Sequence, residues 1–333
     1  MSKWIVWFPL KVLAWALGLV GFAALTLAAM IATPLASLPE LTSLSKSARA
    51  IDRSSMPPLS RFSARDGTEL AYRHYPARGP SSGKIAILVH GSSGSSAVVH
   101  ALADALAAHG VETYAPDIRG HGGSGTRGDV AYLGQLENDM EDFVALVRKT
   151  SPAEPLTLLG HSAGGGFALR IASSPIQDLF VRTVLLAPYL GYDAPTNRPD
   201  SGGWASADIP RFLALAALHR VGIDCCESLP TLAFAVPANS EQVLNSHYSY
   251  RLMRNFATRG YASDLAAAHH PVTLISGASD ELMLADKYAD AVHAVAPSVE
   301  VKLIDGIDHM GIVGNAQAVS VVADDVANAR TGS

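Results

Sequence analysis

Residues 158–166 read LLGHSAGGG, a serine between two glycines directly after an apolar run. With glycine at 28 of 333 positions, the pattern G-x-S-x-G is not decisive by itself. What decides it is the flanking chain. PLTLLG (155–160) has the length and composition of a buried strand, and AGGGFALRIASS (163–174) has the composition of a helix. A serine on the turn between them meets the context of a nucleophile elbow, where a sharp strand-to-helix turn lifts the hydroxyl above a sheet edge. Glycines at 160 and 164 remove side chains from that turn, and Gly165 and Gly166 let the helix approach the sheet. The helix N-terminus favours negative charge beside Ser162.

The same alternation runs outward from this point. RFSARDGTELAYRHY (61–75) holds two β-like runs around Asp66-Gly67, a hairpin signal. KIAILVH (84–90), VETYAPD (111–117), VRTVLLAP (181–188), PVTLISG (271–277) and VEVKLID (299–305) read as strands, mostly apolar throughout rather than alternating. Helices are expected after Ser96, which is placed to cap one, and over 130–149, 284–296 and 315–330. Strands buried on both faces and alternating with helices predict an α/β fold with a mostly parallel central sheet flanked by helices. The alternation fails from about Leu190 to His270. We therefore expect a core of 61–189 and 271–333, with 190–270 inserted between the sixth and seventh major strands as a lid over the edge where such sheets bind ligands.

A serine hydroxyl needs a base, and the base needs an orienting acid. Where a nucleophile elbow of this kind carries such a triad, the chain order is serine, acid, histidine. SGASDELM places Asp280 just after the strand 271–277, and IDGIDHMGI places His309 just after the strand 299–305. Glu281, Asp305 and Asp308 are the competing acids. The oxyanion hole requires two backbone N–H donors. Ala163 follows the nucleophile. The second is expected from HGSSGSS (90–96), with Ser92 assigned and Ser93 as the alternate. In the lid, Trp204, Phe212, Tyr248 and Tyr250 are candidates for an apolar substrate pocket.

The N-terminus differs in kind. VLAWALGLVGFAALTLAAMIAT (12–33) would span about 33 Å as a helix, close to the hydrocarbon thickness of a bilayer. Trp4, Trp7 and Trp15 cluster at its start, as interfacial anchors do. A cleaved signal peptide fits as well, but its apolar core is normally shorter, about 7–15 residues. Residues 1–35 are read as a membrane anchor and 36–60 as a linker. Lys3 and Lys11 precede the span, which leans the catalytic domain to the non-cytoplasmic side.

Composition narrows the functional classes. Hydrophobic residues make up 49% of the chain and charged residues 17%, so a disordered chain is excluded. A formal net charge of -5 without a basic block argues against nucleic acid as a partner. Cys225 and Cys226 are adjacent and give no disulfide framework. No metal and no cofactor is expected, since none of the twelve histidines falls into a metal-binding motif. Nothing in the sequence fixes an oligomeric state.

The motifs HGSSG (90–94), DIRGHGGSG (117–125), GHSAGGG (160–166), SGASDE (276–281) and DHM (308–310) resemble those of α/β-hydrolases, in the pattern of the monoacylglycerol lipase, lysophospholipase and serine-aminopeptidase-like group. The resemblance covers residues 60–330. It implies that the 117–125 loop shapes the site without chemistry, so His121 stands outside the triad. Relatives with an aspartate nucleophile are set aside by Ser162 at the elbow. The expectation is a serine hydrolase cleaving carboxylic esters through an acyl-enzyme, on lipid-like or apolar acyl esters. A peptidase, thioesterase, acyltransferase or cofactor-free peroxidase on the same triad is the alternative, and a non-catalytic tethered binding protein a further one.

Overall fold

The computed structural model describes residues 3–237 and 244–329. Eleven strands occur among them: β1 (Ser60–Ser63), β2 (Glu69–Tyr75), β3 (Ile85–Val89), β4 (Glu112–Pro116), β5 (Leu156–His161), β6 (Arg182–Leu186), β7 (Ala205–Ala207), β8 (Pro230–Phe234), β9 (His247–Ser249), β10 (Val272–Gly277) and β11 (Glu300–Ile304). Eight of them form one sheet in the order β1-β2-β4-β3-β5-β6-β10-β11. The pairs from β4 to β11 are all parallel, and β1 and β2 add an antiparallel edge. This is the α/β-hydrolase architecture expected from the sequence. The hairpin turns at Asp66-Gly67, where Gly67 takes φ +81° and Asp66 Oδ1 accepts the Thr68 amide at 3.0 Å.

Every residue of β3, β5 and β10 is buried, as strands covered on both faces must be. Helices His100–Ala108, Gln135–Arg148, Ala163–Ala172, Tyr288–His293 and Ala316–Asn328 supply the covering layers, with Leu102, Phe143, Phe167 and Val322 in the core. Two expectations shift. The helix expected from 130 begins at Gln135, because Gly128 (φ +74°) and Gly134 (φ +96°) hold the preceding chain in turns. Ser96 does not cap with its side chain; its amide donates to Asp117 Oδ1 at 2.7 Å, and a 3-10 turn over Ser96–Val99 leads into the helix at His100.

Between β6 and β10 the chain builds a separate antiparallel sheet, β7-β8-β9, and the helices Ile209–Arg220, Tyr250–Asn255 and Tyr261–Ala267. Asp208 caps the first of these by accepting the Arg211 amide at 3.0 Å.

The N-terminal helix runs Lys3–Ile31, and its segment Leu10–Ile31 is long and apolar enough to cross a membrane. Trp15, Leu19, Phe22 and Leu25 are 66–76% exposed, so this helix does not bury its apolar surface in the protein. Its end is fastened to the inserted segment. Arg211 donates to the carbonyl oxygens of Ile31 and Thr33, and Thr33 Oγ1 donates to Asp208 at 2.8 Å. A cation on the last carbonyls suits the negative end of the helix dipole. Residues 36–60, expected as a linker, carry the helix Thr42–Ala50. Leu44 and Ile51 are buried, the Leu41 amide donates to Ala235 O at 3.0 Å, and Ser47 Oγ donates to Asp308 Oδ2 at 2.7 Å.

Candidate active site

Ser162 lies between β5 and the helix Ala163–Ala172 with φ +55° and ψ -119°, a conformation non-glycine residues rarely adopt. Its amide donates to Leu186 O at 2.9 Å, and its carbonyl accepts the amides of Gly165 and Tyr189, so the turn is held from three sides. Two glycines permit it. A Cβ at Gly160 would stand 2.0 Å from Gly164 O, and one at Gly164 would stand 2.3 Å from His90 O. Backbone meets backbone at both, so no other side chain fits. Backbone strain of this kind clusters at functional sites, where it serves preorganisation.

Asp280 and His309 follow the carboxyl ends of β10 and β11, neighbours in the sheet. His309 Nδ1 is 2.8 Å from Asp280 Oδ2, and both side chains are almost fully buried. Asp280 Oδ1 accepts the amides of Leu282 and Met283 at 2.8 Å each. Burial works against the Asp280 carboxylate, but His309 and these two amides outweigh it and hold its pKa below the usual value. Burial likewise works against the His309 imidazolium. The Asp280 charge and hydrogen bond, with Glu281 and Asp308 nearby, outweigh it and raise the His309 pKa above the ordinary 6.5. The competing acids are engaged elsewhere. Glu281 accepts the His309 backbone amide at 2.9 Å, Asp308 accepts Ser47 Oγ and the Gly311 amide, and Asp305 is exposed. Ser162 and His309 line one cavity of about 730 Å³, and no hydrogen bond joins their side chains. Catalytic hydrogen bonds of this kind often tighten only with substrate bound.

His161, beside Ser162 in sequence, donates its Nε2 proton to the His309 carbonyl oxygen over 3.0 Å. Burial, with the neighbouring His309, depresses its pKa to about 3, so it stays neutral.

The loop after β3 supplies the candidate oxyanion donors. The Ser93 amide is spent: it donates to Tyr248 Oη at 2.7 Å, while Ser93 Oγ donates to Asn245 O at 2.6 Å. Ser93 also takes φ +66°. No acceptor engages the amides of Ser92 or Ala163 among the described residues. Ser92 Oγ accepts from Trp204 Nε1 at 2.9 Å. The DIRGHGGSG loop fixes this arrangement. Asp117 accepts the amides of Ser96 and Gly123, and His90 Nε2 accepts the Ile118 amide at 3.1 Å. His121 Nδ1 lies 3.2 Å from Ile118 O, which places its proton there and leaves Nε2 to accept from Tyr248 Oη. Tyr248 thus takes the Ser93 proton donor on one side and gives its own to His121 on the other. Sequence reading missed this chain; its signal was the polar residue set at 121 and 248, not an apolar one.

The aromatic candidates of the inserted segment divide. Trp204 lines the cavity. Phe212, Tyr248 and Tyr250 do not. Tyr248 is 2% exposed in the relay just described, and Phe212 packs on Tyr250 with ring centroids 5.3 Å apart. These three are packing residues of the inserted segment, because an aromatic ring in so small a sheet-and-helix layer is first recruited to its own core. In their place the cavity is walled by residues from the segment that follows the N-terminal helix: Leu44, Ala48, Arg49, Arg53, Met56 and Leu59. The i, i+3, i+7, i+10 spacing of Leu41, Leu44, Ala48 and Ile51 was the available sign of that helix.

The family model described as Hydrolase_4, serine aminopeptidase S33, matches residues 80–313. The chain belongs to this family. It is an α/β-hydrolase of the monoacylglycerol lipase-like group, and an enzyme. It is 23% identical over 239 residues to a monoglyceride lipase homolog of monkeypox virus, covering 68% of this chain and 81% of the relative. It is 35% identical over 106 residues to the uncharacterized protein YnbC of Escherichia coli, and this match covers 31% of this chain and 18% of the relative. A soluble variant of the monoglyceride lipase of Saccharomyces cerevisiae, solved with a substrate analog, superposes with a TM-score of 0.61 at 18% identity, over 83% of this chain and 95% of that one. That likeness establishes the fold.

Proposed function

We propose that this family member is a membrane-anchored serine hydrolase that cleaves carboxylic esters of lipid-like alcohols through an acyl-enzyme. The buried His309–Asp280 pair, sharing a cavity with Ser162 at an elbow of positive φ, carries the reading. Ser162 Oγ attacks the ester carbonyl while its proton passes to His309 Nε2. Asp280 holds the opposite nitrogen protonated and stabilises the imidazolium. The amides of Ala163 and Ser92 receive the oxyanion. The tetrahedral adduct collapses, the alcohol leaves with the proton from His309, and Ser162 keeps the acyl group. Water then loses a proton to His309 and attacks the acyl carbonyl. The carboxylic acid departs, and Ser162 recovers its proton.

Several features support a lipid-like substrate. The cavity contains Leu44, Met56, Leu59, Trp204, Leu282 and Met310, enough apolar surface for an acyl chain. Two of the similar proteins are named for monoglyceride lipase. The helix Leu10–Ile31 is read as a retained anchor with the catalytic domain on the non-cytoplasmic side, which would hold the enzyme beside its substrate. Residues 190–270 are read as a lid on the core 61–189 and 271–333.

The family description favours amide cleavage as a second reading. A panel of p-nitrophenyl acyl esters and aminoacyl p-nitroanilides separates the two. We expect kcat/KM to be higher for the esters and to rise from butyryl to longer chains. Faster turnover of the anilides would replace the esterase reading with a peptidase one.

A further inference from the structure

Three arginines line the cavity that Ser162 and His309 share: Arg49 and Arg53 from the juxtamembrane segment and Arg73 from β2. The lining has one carboxylate, Asp117, and both its oxygens are taken by the amides of Ser96 and Gly123. Arg49 is paired with Glu40 at 3.1 Å near the surface. Arg53 and Arg73 have no carboxylate partner among the described residues. Arg53 donates to the carbonyl oxygens of Ala48, Ile51 and Ala97, and Arg73 donates to that of Pro57. Arg73 Nε is buried with no hydrogen-bond partner.

Carbonyl oxygens position a guanidinium without neutralising it. Two partly buried cations that no carboxylate pairs directly are an unfavourable arrangement on their own, and burial alone lowers the Arg53 pKa. An anion between them would relieve it. A phosphate suits the task best, since its several acceptor oxygens match the planar donor fork of each guanidinium and can bridge two of them.

We propose that Arg53 and Arg73 form an anion subsite of the catalytic cavity, and that the enzyme selects single-chain esters whose alcohol carries a phosphate head group. The apolar lining takes the acyl chain, Ser162 meets the ester, and the phosphate lies against the two guanidinium groups. The juxtamembrane segment is then part of the substrate site, and the anchor delivers one wall of the pocket. The assignment rests on Ser162 being an ester-cleaving nucleophile.

The test uses the full chain in non-ionic detergent micelles. It compares kcat/KM for 1-oleoylglycerol 3-phosphate with that for 1-oleoylglycerol. The wild-type ratio should favour the phosphate by about tenfold or more, in keeping with a charge-assisted contact. Arg73→Gln and Arg53→Gln should each lower the ratio about tenfold, chiefly through KM of the phosphate substrate, and Arg73→Lys should restore part of it. Because the readout is a ratio, general damage to the fold cancels. A wild-type ratio of one or less, or a ratio that neither glutamine variant moves, overturns the subsite. Ser162-dependent hydrolysis of p-nitrophenyl butyrate is followed in parallel. If that persists, only the subsite has failed; if it is absent, the hydrolase assignment has failed and the subsite with it.

Discussion

Replacing Asp280 by Asn changes one charge and almost no volume. The two amides of Leu282 and Met283 can still be accepted by the Asn oxygen, so the loop after β10 should keep its shape. The nitrogen then faces His309 Nδ1, where the carboxylate oxygen stood at 2.8 Å. A side-chain amide donates at that position, so the imidazole must turn its lone pair to Nδ1 and protonate Nε2. That is the wrong tautomer for taking a proton from Ser162, and a comparable change in a serine protease triad costs about ten-thousandfold in kcat, equivalent to about 5.5 kcal/mol. The pH profile gives an independent sign. His309 must be neutral to act, so activity falls as pH drops through its pKa. In the wild type that limb should lie above 6.5, because Asp280 outweighs burial. Without the carboxylate, burial prevails and the limb of the residual activity should move to lower pH. The assay is kcat against pH with a p-nitrophenyl ester, on protein checked for unchanged Tm. A variant within tenfold of wild type, or a limb that stays in place, refutes Asp280 as the orienting acid.

Three further outcomes follow from the geometry. Tyr248→Phe leaves the Ser93 amide and His121 Nε2 without their shared partner; urea unfolding should show a loss of about 1–3 kcal/mol, with kcat reduced more than KM is changed as the Ser92 amide loses its support. Gly164→Ala drives a Cβ to 2.3 Å from the His90 carbonyl, and calorimetry should find Tm lower by about 4 °C for a cost of about 3 kcal/mol. Burial depresses the pKa of His90, His121 and His161, so the unfolded chain binds more protons as pH falls below 6.5. The unfolding free energy from denaturant melts should therefore drop from pH 7 to pH 5, by up to about 1.4 kcal/mol per pH unit for each histidine.

The parts legible in the sequence were those written by local chemistry. β5, Ser162 and the glycines behind it could be read because a turn with φ +55° and backbone-to-backbone approach at Gly160 and Gly164 leaves little choice of residue. Asp280 could be placed because it follows a short β-branched run that the parallel sheet buries on both faces, and His309 because it follows β11, the valine-bearing edge strand paired in parallel with it. The inserted segment was opaque for the opposite reason. β7 and β9 have three residues each, too short for a period, and their pairing depends on contacts distant in the chain. Tyr248 looked like a pocket wall because composition cannot tell a ring facing substrate from one whose hydroxyl links Ser93 to His121. The helix Thr42–Ala50 was hidden by its serines, although its apolar positions keep helical spacing, and its place at the cavity depends on where the end of the N-terminal helix meets Asp208 and Arg211.

The central claim is that Ser162 is the nucleophile. Labelling of the full chain with a fluorophosphonate probe, followed by mass spectrometry of the modified peptide, tests it most directly. We predict one adduct, on Ser162, formed in step with the loss of ester hydrolysis and absent from Ser162→Ala. Labelling at another residue, or ester turnover that survives in Ser162→Ala, would contradict the account.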